Sequence, residues 1–420
     1  MECFKGLDKA NLVELQESLL VKLKEYQGMG LNLNMARGKP CKEQVDLSNG
    51  LIDGTIDFSI KSDYRNYGVL DGIDEAKAVF KDTLNVSENE LVLGGNSSLN
   101  MMYDVIIKAI VLGNVDSEKP WCKLDTIKFL CPVPGYDRHF SICEEFGIEM
   151  INIPTDENGP DMDLVEELIA NDASIKGMWC VPKYSNPTGI TYSDEVVTRL
   201  ATMKTAAKDF RILWDNAYTV HHLGAEADKL KDILESCKEA GNANRVFMFS
   251  STSKMTFPGA GVAMLGTSAQ NAEFIRKQMA IQTIGSNKVN QLMHAKFLPS
   301  IEAITEHMHK HSAIIGPKFD KVDEILNENL AGLNIASWKK PNGGYFISLE
   351  VLDGCAKEVV ALCKSCGVTL TKAGATFPYG KDPKDSNIRI APTFPPLDEL
   401  ETAINILAVC VQIAALNKIL

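Results

Sequence analysis

Four apolar runs, each ending in a cluster of polar and glycine residues, constrain this chain more than any other feature. Ile127–Cys131 leads into Pro132-Val133-Pro134-Gly135-Tyr136-Asp137-Arg138-His139, and Gly177–Val181 into Ser185-Asn186-Pro187-Thr188-Gly189. Ile212–Trp214 ends at Asp215-Asn216-Ala217-Tyr218, and Arg245–Phe249 runs into Ser250-Ser251-Thr252-Ser253-Lys254. Gly261–Gly266 is a candidate fifth strand, and helical stretches such as Ser193–Asp209 lie between the runs. Strands alternating with helices imply a mostly parallel sheet covered on both faces, an α/β fold. In such sheets ligands sit beyond the carboxyl ends of the strands. Every polar cluster named here occupies that position.

The flanks read differently. Leu12, Leu15, Leu19 and Leu23 recur at helical spacing within residues 8–27. Met35–Pro40 breaks that pattern and must be a loop, where Arg37 beside Gly38 is placed to approach a ligand. Asp63–Gly72, rich in aromatic and polar residues, is a second loop. After about residue 290 comes a long helical region, Val289–Leu330, with interruptions expected near Pro299 and Pro317. A turn at Pro341–Gly344 into a strand, a helix at Cys355–Cys366 and a strand ending at Asn387–Ala391 complete a smaller α+β unit. A chain of 420 residues exceeds one small core. Because chain ends often lie close together, the expected division is a large unit over 47–290 and a small one from 1–46 with 291–420.

A net charge of -12 argues against nucleic acid or an anionic membrane as partner, since both call for basic patches. The eleven cysteines show no regular spacing, and Cys363-x-x-Cys366 lacks a second pair, so no metal site is expected. Reduced thiols packed as small hydrophobes in a cytoplasmic protein are the expectation. No stretch reads as a signal peptide or a membrane span.

Leu91-Val92-Leu93-Gly94-Gly95-Asn96-Ser97-Ser98 is a short strand, a glycine pair and a polar triplet opening a helix. That geometry offers free N–H groups to a phosphate, although an N-cap serine with no ligand looks the same. Lys254 also has two readings. A lysine usually points to solvent; alternatively its amine forms an imine with a carbonyl. The neighbouring clusters favour the second. Given an aromatic aldehyde cofactor, Asn96, Ser97, Ser98, Ser251 and Ser253 would hold a phosphate handle. Asp215 would pair with a protonated ring nitrogen, Tyr218 and Asn186 would bond a ring hydroxyl, and Tyr136 would face the ring. Arg389 would grip a substrate carboxylate with two parallel hydrogen bonds. These are the parts that pyridoxal 5'-phosphate requires of a protein.

In their order the same residues carry a resemblance. Tyr67, Asn96 to Ser98, Tyr136, Asn186-Pro187-Thr188-Gly189, Asp215 to Tyr218, Ser251 to Lys254 and Arg389 follow one another as in the fold-type I pyridoxal-phosphate aminotransferases of the class I/II superfamily. Within them the chain resembles the MocR-like subgroup of bacterial aspartate aminotransferases, over nearly its whole length. The resemblance implies a sheet of the seven-stranded type and catalysis by Lys254, Asp215 and Tyr218, with His139 behind Tyr136. It implies ping-pong exchange between aspartate and 2-oxoglutarate, and a homodimer in which Tyr67 reaches the neighbouring subunit's cofactor phosphate. Two departures stand out. Pro258-Gly259-Ala260-Gly261 lacks the arginine that most relatives place after the lysine. No arginine for a distal carboxylate is evident near Thr283–Asn290, which leaves Lys288, Arg37 and Arg65 as candidates, with Gly38 nearby. A lyase or decarboxylase would share these residues. So would the effector-sensing module of a MocR-type regulator, for which the net charge and the short stretch before Arg37 are wrong.

Overall fold

The computed structural model describes residues 4–6, 8–53, 64–224 and 226–420; Asp63, at the start of the second loop, lies outside them. From edge to edge the main sheet runs Leu91–Leu93, Ala263–Thr267, Val246–Ser251, Arg211–Asp215, Ile175–Cys180, Lys128–Val133, Glu149–Asp156, Gly159–Pro160. The central strands pair in parallel, and Ala263–Thr267 is antiparallel to both its neighbours. Among the described residues the sheet has eight strands rather than seven, because the two-residue Gly159–Pro160 folds back on Glu149–Asp156. Ile175–Cys180 and Arg211–Asp215 are buried at every position. Burial on both faces explains the apolar runs Gly177–Cys180 and Ile212–Trp214 within them, while the buried Lys176 and Arg211 at their starts are paired with Asp209 and Asp116.

Capping residues fix where the covering helices start. Asp161 accepts from the N–H groups of Asp163 and Leu164, and Ser193, Ser268 and Ser300 each accept from the third residue of the helix that follows. The helix expected over Ser193–Asp209 stops at Thr202. Arg245 Nη1 and Asn242 Nδ2 take the carbonyls of Leu200 and Ala201, so the last turn is satisfied by side chains from elsewhere.

Two cores flank the sheet, and a third is built from the chain's ends. In this third core Leu12, Leu19 and Leu23 of the Lys9–Gly28 helix pack with the Leu397–Ile419 helix and a three-stranded antiparallel sheet. Contrary to the expectation that no stretch has the make-up of a membrane span, the Leu397–Ile419 helix has the length and hydropathy of one. It is buried as the centre of this core. Ile301–Leu330 is one continuous helix, so Pro317 does not interrupt it. Pro317 and Ala313, whose carbonyl the proline leaves without its usual N–H, both lie on the exposed side, where water can serve. This helix places Ile304 and Met308 in the sheet's core and Ile315, Phe319 and Val322 in the other.

Where the cores meet, a string of buried polar groups ties four segments together. Gln44 Nε2 contacts the Tyr345 hydroxyl at 3.0 Å and His311 Nδ1 at 3.1 Å. His311 and His307 meet at 3.2 Å through their Nε2 atoms, and His307 Nε2 reaches the Met255 carbonyl at 2.8 Å. Burial, then the neighbouring His307, lowers the His311 pKa from 6.5 to about 4. The unfolded chain therefore takes up a proton before the fold does, and the stability present above pH 6.5 is lost as pH falls toward 4. Thermal unfolding followed across that window should show a decline, with roughly 2–3 kcal/mol traceable to this group. His311→Gln should flatten the decline.

Candidate active site

Strand ends bring the site together. Beyond Val246–Ser251 the chain makes a single tight turn, Thr252–Lys254. The Thr252 hydroxyl accepts from the Val262 N–H at 2.9 Å, and its carbonyl accepts from the Thr256 N–H at 2.8 Å. A turn pinned at both sides aims Lys254 into a cavity of about 610 Å³ at the carboxyl end of the sheet. The Lys254 amine lies 5.0 Å above the Tyr218 ring. Burial lowers its pKa, and the nearby Asp215 charge opposes that shift without cancelling it.

Asp215 ends the neighbouring strand and is buried. Its Oδ2 contacts His139 Nε2 at 3.0 Å, while Oδ1 is buried without a hydrogen-bond partner. His139 is held flat against Trp179, with ring centroids 4.2 Å apart and planes within 5°. Tyr136 meets His139 edge-on at 4.9 Å and lines the cavity. Burial, then Asp215, pushes the Tyr136 pKa up to about 12; burial, then Tyr136, raises that of Tyr218 well above its ordinary value.

Arg389 enters from the smaller sheet, opposite Ser348. Its Nη1 donates to Asp137 Oδ1 at 2.9 Å and to Asn186 Oδ1 at 3.3 Å, and its Nη2 to Thr371 Oγ1 at 3.4 Å. The guanidinium lies 4.9 Å over the Phe346 ring. Behind that ring is Gly38, where a Cβ would sit 2.4 Å from it.

Ser97 and Ser98 line the cavity at the start of the Ser98–Val111 helix, with Ser251 and Ser253 facing them. The Ser251 hydroxyl donates to Ser253 Oγ at 3.1 Å, and that hydroxyl donates to the Asn96 carbonyl at 2.9 Å. Gly261 fits beneath this cluster: a Cβ there would come within 3.0 Å of both the Asn96 carbonyl and Ser253 Oγ. The Asn96 side chain is exposed, and the residue lines a neighbouring cleft with Gly259 and Asn290. In that cleft Asn290 Nδ2 donates to the Ala260 and Gly261 carbonyls. Arg37 and Gly38 line the main cavity. Lys288 starts a separate helix and does not, so within one chain it is not brought to the site. Tyr67 is 84% exposed and also lies outside the cavity lining.

The cavity also holds residues that the motifs did not single out. Lys39, Arg138 and Lys372 add cations, and Thr371 and Asp137 hold Arg389. Among the described residues no carboxylate pairs with Arg37, Lys39, Arg138 or Lys372. Asp137 and Arg138 open the helix that follows the Lys128–Val133 strand across Pro134-Gly135-Tyr136, and their place in that polar cluster was the signal available for them. Thr371 and Lys372 carry no motif. They arrive because Val368–Thr369 pairs with Leu33–Asn34 and lays the two following segments side by side.

A desolvated lysine and a half-satisfied carboxylate on adjacent strand ends are an arrangement chemically able to bind a carbonyl group covalently through the amine. Comparison with known proteins names the class. The chain belongs to the aspartate amino-transferase family, whose model matches residues 7–420, and is a transaminase. An aspartate aminotransferase of Corynebacterium glutamicum is 48% identical over 403 residues, which is 95% of this chain and 93% of its own. The crystal structure of an aspartate transaminase from Corynebacterium glutamicum superposes with a TM-score of 0.95 at 46% identity, covering 98% of each chain. An alpha-aminoadipate aminotransferase from Thermus thermophilus, complexed with N-(5'-phosphopyridoxyl)-L-leucine, shares the fold at a TM-score of 0.76 and 18% identity over 96% of each chain.

Adding a methyl group at Gly38 must shift Phe346, and with it the guanidinium that the ring supports. Gly38→Ala should raise KM for the amino donor by about ten- to a hundredfold, since a misplacement of about 1 Å can cost up to that order of activity. Steady-state kinetics beside thermal unfolding would separate this from general destabilisation, which crowding a buried ring should put at about 1–3 kcal/mol.

Proposed function

We propose that this transaminase binds pyridoxal 5'-phosphate at Lys254 and exchanges the amino group between aspartate and 2-oxoglutarate by alternating half-reactions. The observation that carries the reading is the buried, unpartnered Asp215 Oδ1 beside a lysine whose pKa burial has lowered. Native structures seldom leave a buried carboxylate oxygen unsatisfied. A protonated ring nitrogen supplies the missing donor, so the residues present fit the cofactor. When bound, pyridoxal phosphate supplies a reactive aldehyde carbon and a ring that stabilises negative charge on the substrate carbon.

Each residue's part follows from its surroundings. Lys254 would hold the cofactor covalently and, once released, carry the proton between the two carbons that exchange it. A lowered pKa keeps more of that amine neutral and able to accept a proton. Asp215, fixed by His139, would keep the ring nitrogen protonated. Tyr218 and Asn186 would bond the ring hydroxyl, with Tyr136 against the ring face. Ser97, Ser98, Ser251, Ser253 and the Asn96 backbone would hold the phosphate, in place of the cation missing from Pro258–Gly261. Arg389 would take the α-carboxylate.

Charge supports a dicarboxylate. In a chain of net charge -12, four cations without carboxylate partners line one cavity, enough for a phosphate and a second carboxylate. Tyr67, with most of its surface open, is read as reaching a second copy in a homodimer with shared sites. We read the cofactor-bearing part as roughly 47–290 and the small domain as both chain ends, with residues 292–308 packing on the large side. The cytoplasm is the proposed location.

The test is an absorbance spectrum of the purified holoenzyme before and after aspartate. The long-wavelength band should convert to the short-wavelength amine form and return on adding 2-oxoglutarate. No visible band after incubation with the cofactor would sink the Lys254 assignment, and a response to other amino acids alone would remove aspartate. Lys254→Ala should cut turnover by about a hundred- to ten-thousandfold while the fold persists, measured by coupled assay.

A further inference from the structure

Arg389 presents its donors unequally. Nη1 is engaged by Asp137 and Asn186, Nη2 meets Thr371 at the long distance of 3.4 Å, and Nε is buried with no partner. A carboxylate gripped at two points uses either the Nη1–Nη2 end or the Nε–Nη2 edge. Nε touches no open space, so the edge is closed and a ligand entering from the cavity meets the Nη1–Nη2 end. Asp137 already holds that end. Its carboxylate pairs with a guanidinium that is 7% exposed, while its own side chain is 33% exposed and lines the same cavity.

We infer that Asp137 is a built-in competitor for the substrate carboxylate, which gains Nη1 by displacing the Asp137 carboxylate. This rests on the reading of Arg389 as the α-carboxylate site. The displaced side chain has somewhere to go. Asp137 is the first residue of the Asp137–Glu145 helix, whose opening N–H groups welcome a carboxylate, and Arg138 lies beside it on the cavity wall. The buried guanidinium thus has an anionic partner whether or not substrate is bound, and substrate affinity is lowered by whatever the internal pair is worth. A ligand with one carboxylate, weakened by the same factor, stays unbound at concentrations where a dicarboxylate with a second grip binds.

The experiment titrates the holoenzyme with succinate, a dicarboxylate that cannot react, and follows the cofactor absorbance. Asp137→Asn, which keeps the shape and removes the charge, should bind succinate about tenfold more tightly, the order expected of one charge-assisted hydrogen bond. Asp137→Glu, which keeps a competing carboxylate, should stay near the wild-type affinity. A residue that merely positions Arg389 gives the opposite sign, so unchanged or weaker binding by Asp137→Asn overturns the proposal. Arg389→Gln separates the two readings. If it loses succinate while Asp137→Asn gains nothing, the competitor alone fails. If it binds succinate like the wild type, the Arg389 assignment fails and takes the competitor with it.

Discussion

The site depends on one buried carboxylate held at one oxygen and open at the other. Taking the Asp215 charge out of water is costly unless hydrogen bonds replace the lost hydration. His139 meets half of that need, and is itself fixed because its ring lies flat against Trp179. Oδ1 is left facing the work of the site. Lys254 feels the same carboxylate from the next strand. The attraction favours its charged form, and burial disfavours it more strongly. Had attraction won, the amine would be a fixed counter-ion. Because burial wins, it remains a group that can give up its proton.

That balance is set by strand adjacency. Arg211–Asp215 and Val246–Ser251 pair in parallel, with Asp215 opposite Phe249, so their ends emerge about 5 Å apart. A parallel pair cannot be joined by a tight hairpin, and the crossover between them must pack on the sheet. The two residues therefore share a place only once the whole α/β unit has closed. Arg389 is fixed differently. It stands on a sheet belonging to the other core, and the contacts joining the two cores run through Gln44, Tyr345, His311 and His307 to the carbonyl of Met255, next to the lysine. The same buried groups that stiffen this junction make it sensitive to acid.

Much of this was legible in the sequence, for a physical reason. Strands buried on both faces are apolar except where a buried charge is paired, as Lys176 and Arg211 are, and their polar followers lie at the carboxyl ends, so Tyr136, Asn186, Asp215 and Lys254 could be placed before any fold was known. Leu12, Leu19 and Leu23 likewise showed their buried face. Failures came where tertiary partners replaced local rules. Pro317 looked like a break, yet its helix continues because the freed carbonyl lies on the exposed side. The Ser193–Asp209 stretch looked helical to its end, yet Arg245 and Asn242 stop it at Thr202. The Leu397–Ile419 helix is apolar enough to suggest a membrane, and it is the core that claims it.

The cation supply shows the same limit most sharply. The arginine that the resemblance leads one to expect after Lys254 is missing, and Pro258–Gly261 holds no cation in its place. Arg37 and Lys39 lie hundreds of residues from Lys372, and the three reach one cavity wall through a two-residue parallel pairing, Leu33–Asn34 with Val368–Thr369. Four backbone positions are too few to leave a periodic signal. All three are exposed, so solvent and salt screen each of them, and what favours an anionic ligand is their shared sign on one cavity wall. An acidic protein can thus gather exposed cations on one cavity wall while its net charge disfavours polyanions. The net charge speaks for the surface, and the cavity is set by which loops the sheet ends bring together.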